Sequence, residues 1–249
     1  MSRTLYQADL HLHTCLSPCG DLEMSPRAIV RTAIEKELDI IAVTDHNSIG
    51  NVRAVMDAAA GTSLTVLPGM EISSREEVHV VALFPDLDAA ENVQDKIYAT
   101  LSDSEDDAYI QEQILATGDD EVEGFCSKLL MAASGFSLRK LVELIHSVEG
   151  LAIAAHIDRQ AFGIIGQLGF IPPRVHFDAL EISWRESIQA ARNRFPEFNG
   201  YTFVTSSDAH YLADIGKTRT LFHMARPDFA EIRAALAGTG GCHVEYRAA

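Results

Sequence analysis

Six of the ten histidines fall within or just after short apolar runs: His11, His13, His46, His79, His156 and His210. Two carboxylates, Glu71 and Asp208, stand at matching places behind such runs. Imidazole mixed with carboxylate is the donor set that suits zinc, manganese and iron. The reaction such ions serve best is hydrolysis, because they polarise an ester and activate water. Side chains alternate along a strand, so His11-x-His13 and Asp208-x-His210 each put two donors on one face. Singly, every piece has an ordinary alternative. Asp45 beside His46 is a candidate catalytic residue, or a carboxylate that merely orients the ring. His79 also reads as a hydrogen-bonded core histidine, and Glu71, after Pro68-Gly69, as a turn carboxylate. Together they are hard to explain as core packing. Arg159 and Arg185 follow two of the runs by three residues and could grip a phosphate with both guanidinium nitrogens. A surface ion pair is the plainer reading of each. His146, His176, His223 and His243 have no partners in sequence and read as ordinary residues. Neither a glycine-rich phosphate loop nor a Gly-x-Ser-x-Gly nucleophile turn is present.

The apolar runs at 5–12, 39–43, 64–67, 78–84, 151–155, 179–182 and 201–204, with one more at 218–222, read as buried strands. Helical patterns fit between them. Ser25 can cap a helix with Pro26 at its first position and a stripe of Ile29, Val30, Ala33, Ile34 and Leu38. Leu138, Leu141, Val142, Leu144, Ile145 and Val148 make another stripe, and Pro227 can start a third helix through Ile232 and Leu236. Such alternation predicts a parallel sheet, and about seven repeats predict a barrel. In a parallel barrel the C-terminal strand ends converge on one face, where sites are built.

Residues 86–136 break the rhythm. Between Asp86 and Gly124, thirteen acids face one basic residue, Lys96, so this stretch carries 12 of the 16 net negative charges. It predicts a polar, partly helical insertion: a lid, a contact surface or a solvated excursion. The rest of the chain is near neutral, with no basic stripe of the kind a long polyanion needs. Four cysteines in 249 residues make no disulfide framework. Absence of a long apolar run predicts no membrane span, and the first eight residues do not read as a secretory signal. A cytoplasmic protein is expected.

His11-Leu12-His13-Thr14, Thr44-Asp45-His46, Gly69-Met70-Glu71, His156 after an apolar strand, and Ser207-Asp208-Ala209-His210 resemble, in order, the motifs of the PHP (polymerase and histidinol phosphatase) family. The resemblance implies an α/β fold: one distorted (β/α)7 TIM-like barrel over residues 1–249, with 86–136 inserted in it. It implies a trinuclear site holding two to three divalent ions (Zn, Mn or Fe). One ion would sit on His11, His13, Glu71 and Asp208. A second would share Glu71 with His79 and His156. A third would take His46, His210 and one residue of the first loop. That loop departs from the usual spacing: Pro18 and Cys19 stand where relatives carry an Asp or His. Asp21 is expected to supply the ligand, with Cys19 its competitor.

The activity implied is a phosphoric ester hydrolase in which a hydroxide held by the ions attacks phosphorus. A small phosphorylated substrate, such as a nucleotide or a sugar or amino-alcohol phosphate, is expected, and nucleic acid is the less favoured partner. The alternatives are a nuclease acting on nucleic-acid ends and a non-catalytic, metal-bound regulatory domain. A C–N hydrolase ranks lower, because no strand-end lysine is available to bridge two ions.

Overall fold

The computed structural model describes residues 3–246, so both ends of the expected 1–249 domain lie outside it. In chain order the elements are β1 (Thr4–Leu12), α1 (Pro26–Glu35), β2 (Ile40–Val43), α2 (Val52–Ala58), β3 (Thr65–Ser73) and β4 (His79–Leu83). Then come α3 (Leu87–Tyr98), α4 (Asp107–Gln111), β5 (Ile114–Ala116), β6 (Val122–Phe125), α5 (Leu138–Ser147) and β7 (Leu151–Ala154). The chain ends with α6 (Ile164–Leu168), β8 (Ala179–Ser183), α7 (Ile188–Arg194), β9 (Phe203–Ser206), β10 (Thr220–Met224), α8 (Phe229–Leu236) and β11 (His243–Glu245).

Nine strands form one sheet in the order β11-β10-β1-β2-β3-β4-β7-β8-β9. Its ends meet where β1 approaches β9. His13 N–H donates to Ala209 O at 3.0 Å, and Ala209 N–H to His11 O at 3.4 Å. Just below, the Asp9 carboxylate accepts from Ser207 N–H and Gly216 N–H, both at 2.9 Å. Seven strands therefore enclose a nearly closed barrel, while β10 and β11 extend antiparallel beyond β1. An apolar cluster drawing on every wall strand fills the lumen; it includes Leu10, Ala42, Leu67, Val81, Ile153 and Val204, and α8 packs on it through Phe229 and Ile232. A second cluster joins the outer strand faces to α1, α2, α3 and α5.

The sheet is not uniformly parallel, as the alternation had suggested. Strand β4 runs antiparallel to both β3 and β7. Only residues 74–78 link β3 to β4, too few for a parallel crossover, so the chain must turn back as a hairpin. The reversal matters for the site, because it brings the first residue of β4, rather than its last, to the barrel mouth.

Two helix boundaries differ from expectation in detail. Helix α8 is capped by Asp228, whose side chain accepts from Glu231 N–H, so Pro227 lies outside it. In α1 the stripe buries Ile29, Val30 and Ala33, but Ile34 is exposed and Leu38 follows the helix. The acidic stretch is no loose excursion either. Asp86 caps α3, which buries Leu87, Ala90, Val93 and Ile97 against the barrel. The β5–β6 hairpin is pinned to the mouth loops. Asn51 donates to Ile114 O at 3.0 Å and accepts from Ala116 N–H at 2.9 Å, and Ile114 N–H donates to Cys15 O at 3.2 Å. Asn47 holds the next stretch by donating to Leu130 O and Ala132 O.

Candidate metal centre

The expected donors meet at the barrel mouth. His11, His13, His46, Glu71, His79 and His156 are all buried there, with Asp208 and His210 partly covered. His11 and His13 come from the end of β1, where a register shift against β2 inserts an extra residue. Such bulges re-aim side chains beside sites. Asp208 and His156 adopt positive φ, 51° and 29°, a left-handed backbone that non-glycine residues take up at a cost. His79 reaches the mouth only because β4 is reversed. Its Nδ1 lies 2.7 Å from Glu71 Oε1, and its ring stacks on Phe162 at 4.5 Å.

Glu71 is the hub. Its Oε1 lies 3.4 Å from His11 Nε2, 2.7 Å from His79 Nδ1 and 3.1 Å from His156 Nε2. Its Oε2 faces the other side, 3.4 Å from His13 Nε2 and 3.1 Å from His46 Nδ1. Asp208 Oδ1 sits 3.3 Å from His11 Nε2 and 3.1 Å from His13 Nε2. Three donor groups result, the ligand atoms of each lying within 4.8 Å of one another: His11, His13, Glu71 and Asp208; His46, Glu71 and His79; and His13, Cys19, His46 and His210. His156 joins through Glu71.

The imidazole tautomers test whether cations fit. Ser17 Oγ donates to Asp45 at 2.7 Å, so it can only accept from His13 Nδ1 at 3.0 Å and from His46 N–H at 3.2 Å. His11 Nδ1–H donates to Glu181 at 3.0 Å, and His210 Nδ1–H to Asp208 O at 2.8 Å. Each bond fixes the proton on Nδ1 and turns a lone pair on Nε2 toward the cavity, as metal-binding imidazoles require. His11 Nε2 is buried with no hydrogen-bond partner among the described residues. A buried nitrogen with an unused lone pair beside two carboxylates fits a cation.

Electrostatics point the same way. Burial opposes charge on Glu71, yet the imidazoles of His79, His11 and His46 hold its carboxyl well below the usual range. Burial disfavours the charged forms of His11 and His13 too. The carboxylates of Glu181, Glu71 and Asp208 nevertheless raise His11 well above its ordinary value. Hydrogen bonds to Asp208 and Glu71 bring His13 to about 9. Burial, aided by His13, pushes His210 down to about 4 and His46 well below its usual value. The carboxylates demand positive charge that the imidazoles supply only in part.

Several sequence readings need correction. Asp45 is fully buried behind the first loop, accepting from Thr14 N–H at 2.7 Å and Thr14 Oγ1 at 2.8 Å. It braces His13 through Ser17, and among the described residues it makes no hydrogen bond or ion pair to a histidine side chain. In the first loop, turns from Thr14 to Ser17 and from Ser17 to Gly20 bring Cys19, although exposed, beside the histidines. Gly20 permits this, since a Cβ there would meet Thr14 O at 2.5 Å. Cys19, and not Asp21, therefore joins His13, His46 and His210. The Asp21 carboxylate turns away to accept from Glu23 N–H at 2.8 Å. Partial burial, with Glu71, Asp45 and Asp208 nearby, pushes the Cys19 thiol up to about 12.

Arg159 and Arg185 do reach the site: both line a cavity of about 770 Å³ with His46, Glu71, Asp208 and His210. Arg159 donates to Asp208 Oδ2 at 2.5 Å, while the Arg185 guanidinium lies 5.4 Å from the Trp184 ring centre. Glu181, Ser17 and Arg194 were missed by sequence reasoning. Glu181 left a signal, an acid in the middle of the apolar run Ala179–Ser183. It holds both His11 Nδ1 and, at 3.0 Å, His156 N–H.

Fold and donor set together define a class: barrel proteins with a metal-binding donor cluster at the strand ends. The chain belongs to the PHP domain family, whose model matches residues 9–201, and a PHP-associated segment matches residues 190–238. It is 34% identical over 94 residues to the 5'-3' exoribonuclease Rnm of Escherichia coli. That stretch covers 35% of this chain and 31% of the relative, so the chain matches about a third of that protein's length. The lesion-specific endonuclease EndoQ of Pyrococcus furiosus superimposes with a TM-score of 0.78 at 16% identity, covering 97% of this chain and 58% of that one. PsfC of Pseudomonas syringae superimposes over the whole chain and 93% of its own length, with a TM-score of 0.61 and 16% identity. The nucleases among these relatives overturn the expected preference for a small phosphorylated partner over nucleic acid. The sequence showed no basic stripe because Arg159, Arg185 and Arg194 lie apart along the chain and meet only at the folded mouth.

Proposed function

We propose that the protein is a metal-dependent phosphoric ester hydrolase that trims nucleic acid from an end. The observation that carries this reading is the single cavity that unites the donor cluster with three arginines. At about 770 Å³ it lies in the size range of sites that enclose a small-molecule-sized group, so it suits one or two terminal nucleotides better than a continuous duplex. Two or three divalent ions (Zn, Mn or Fe) bound there would polarise the phosphate ester and activate water. Glu71 and Asp208 would hold the cations, and Glu181 and Ser17 fix the tautomers of His11 and His13. Arg159, Arg185 and Arg194 are placed to receive the scissile and neighbouring phosphates as charge-assisted donors. Trp184 and Phe162, both 41% exposed, offer rings on which bases can stack. The relationship to Rnm and EndoQ supports nucleic acid as the substrate class. All four cysteines are unpaired, which suits the reducing cytoplasm.

The test is a metal-loaded assay on end-labelled RNA and DNA, with and without a 5'-phosphate, beside an abasic-site duplex and an aryl phosphate. The expected result is stepwise shortening from one end, cut at least about a hundredfold by Asp208→Ala. Turnover confined to the aryl phosphate, or internal nicking alone, would refute the end-directed reading.

A further inference from the structure

The third donor group contains no carboxylate. His13, Cys19, His46 and His210 offer three ring nitrogens and one sulfur, all within 4.8 Å of one another. The neighbouring group around His11, Glu71 and Asp208 is rich in oxygen. We propose that Cys19 is the first-loop ligand, so that this position takes a thiolate-preferring cation such as Zn or Fe(II) while its neighbour keeps a mixed oxygen and nitrogen shell. Geometry supports this twice over. The loop turns direct Cys19 into the cavity, where it lines the wall with His46 and His210. Asp21, the nearest carboxylate along the chain, is committed elsewhere: its N–H donates to His210 O at 2.8 Å and its side chain accepts from Glu23 N–H. Thiolate binds Zn and Fe strongly, whereas manganese and magnesium prefer oxygen. One cavity would then hold two metal positions of different chemical softness.

The inference rests on the same site as the proposed function but not on its substrate, and its readout is spectroscopic. Full-length protein is stripped of metal, reloaded with Co(II), and read for a thiolate-to-cobalt charge-transfer band and for metal equivalents by elemental analysis. Wild type is expected to show the band. Cys19→Ala should lose it together with one equivalent. Cys19→Asp should regain the equivalent without the band and shift that position toward Mn(II), and Asp21→Ala should keep both band and equivalents. Circular dichroism checks that each variant folds, and Cys19→Asp keeps the test decisive if Cys19→Ala does not fold. A wild type without the band, a band that survives in Cys19→Ala or Cys19→Asp, or loss of the equivalent in Asp21→Ala would overturn the assignment. A band in a protein inactive on every oligonucleotide would leave Cys19 a ligand and refute only the proposed activity.

Discussion

The candidate metal donors stand out in the sequence because their chemistry is written in residue type. An imidazole or carboxylate at the end of an apolar run has few reasons to be there, and eight such residues met at one mouth. Counting along a loop is a weaker guide. Spacing favoured Asp21, but two successive turns bring the exposed Cys19 beside His13, His46 and His210, while the Asp21 carboxylate accepts from Glu23 N–H. Of the residues that hold the donors, Glu181 left a signal as an acid in an apolar run, but neither it nor Ser17 has a fixed partner spacing. Glu71 faces donors with each of its oxygens, so Glu71→Ala is expected to cost two metal equivalents where His210→Ala costs one. Elemental analysis after dialysis reads both, and equal losses would argue against a shared carboxylate. Glu181→Gln should leave stoichiometry intact but weaken metal affinity by about 10–100-fold, because His11 loses the acceptor that fixes its ring. Competition with a chelator measures this, and unchanged affinity would reduce Glu181 to a purely structural role.

Strand positions and most helices were legible from apolar periodicity, but strand direction was not. A run such as 78–84 is equally apolar read from either end, and only the ten residues between it and the run at 64–67, few for a parallel crossover, hint at the hairpin. The acidic stretch misled for a similar reason. Its charges dominate composition, while the residues that fasten it are neutral: Asn47, Asn51 and Gln113. Asn51→Ala should free the β5–β6 hairpin, at about 1–3 kcal/mol for each buried backbone group left unpaired. Hydrogen exchange should then accelerate at Ala116 and its neighbours but not in β7. Helix α8 gives a pH test far from the metals. The Glu231 carboxylate accepts from Ala225 N–H at 2.8 Å and from the Cys242 thiol at 3.3 Å, and both bonds hold it below its ordinary value. A depressed carboxylate stabilises the fold above its unfolded pKa, near 4.5, and loses that effect as pH falls through the lower folded value. Glu231→Ala should therefore lower Tm at pH 7, and the gap should shrink in acid. A gap independent of pH would mean that packing, not charge, is what Glu231 supplies.

At the scale of the whole molecule, the lack of a basic stripe in sequence was a poor guide to partner, because Arg159, Arg185 and Arg194 are gathered only by the fold. Among the described residues no helix is long and apolar enough to cross a membrane. If Arg159, Arg185 and Arg194 each meet a phosphate, oligonucleotide affinity should fall with salt, and Arg185→Ala should reduce the log–log slope by about 1. An unchanged slope would move phosphate binding off this wall. The seam and the hairpin also differ in when they can exist. Glu71 and His79 lie 8 residues apart and meet as soon as a local hairpin zips, whereas His13 and Asp208 are separated by 195 positions. Local contacts form early and distant ones late. During synthesis, then, the ribosome releases the hairpin pair long before Asp208 and His210 exist, and the cavity becomes complete only when the final wall strand emerges. Any ion that needs the complete donor set would therefore wait for residues 208–210, and a chain stalled before them carries His11, His13, His46, His79 and His156 but no finished cage.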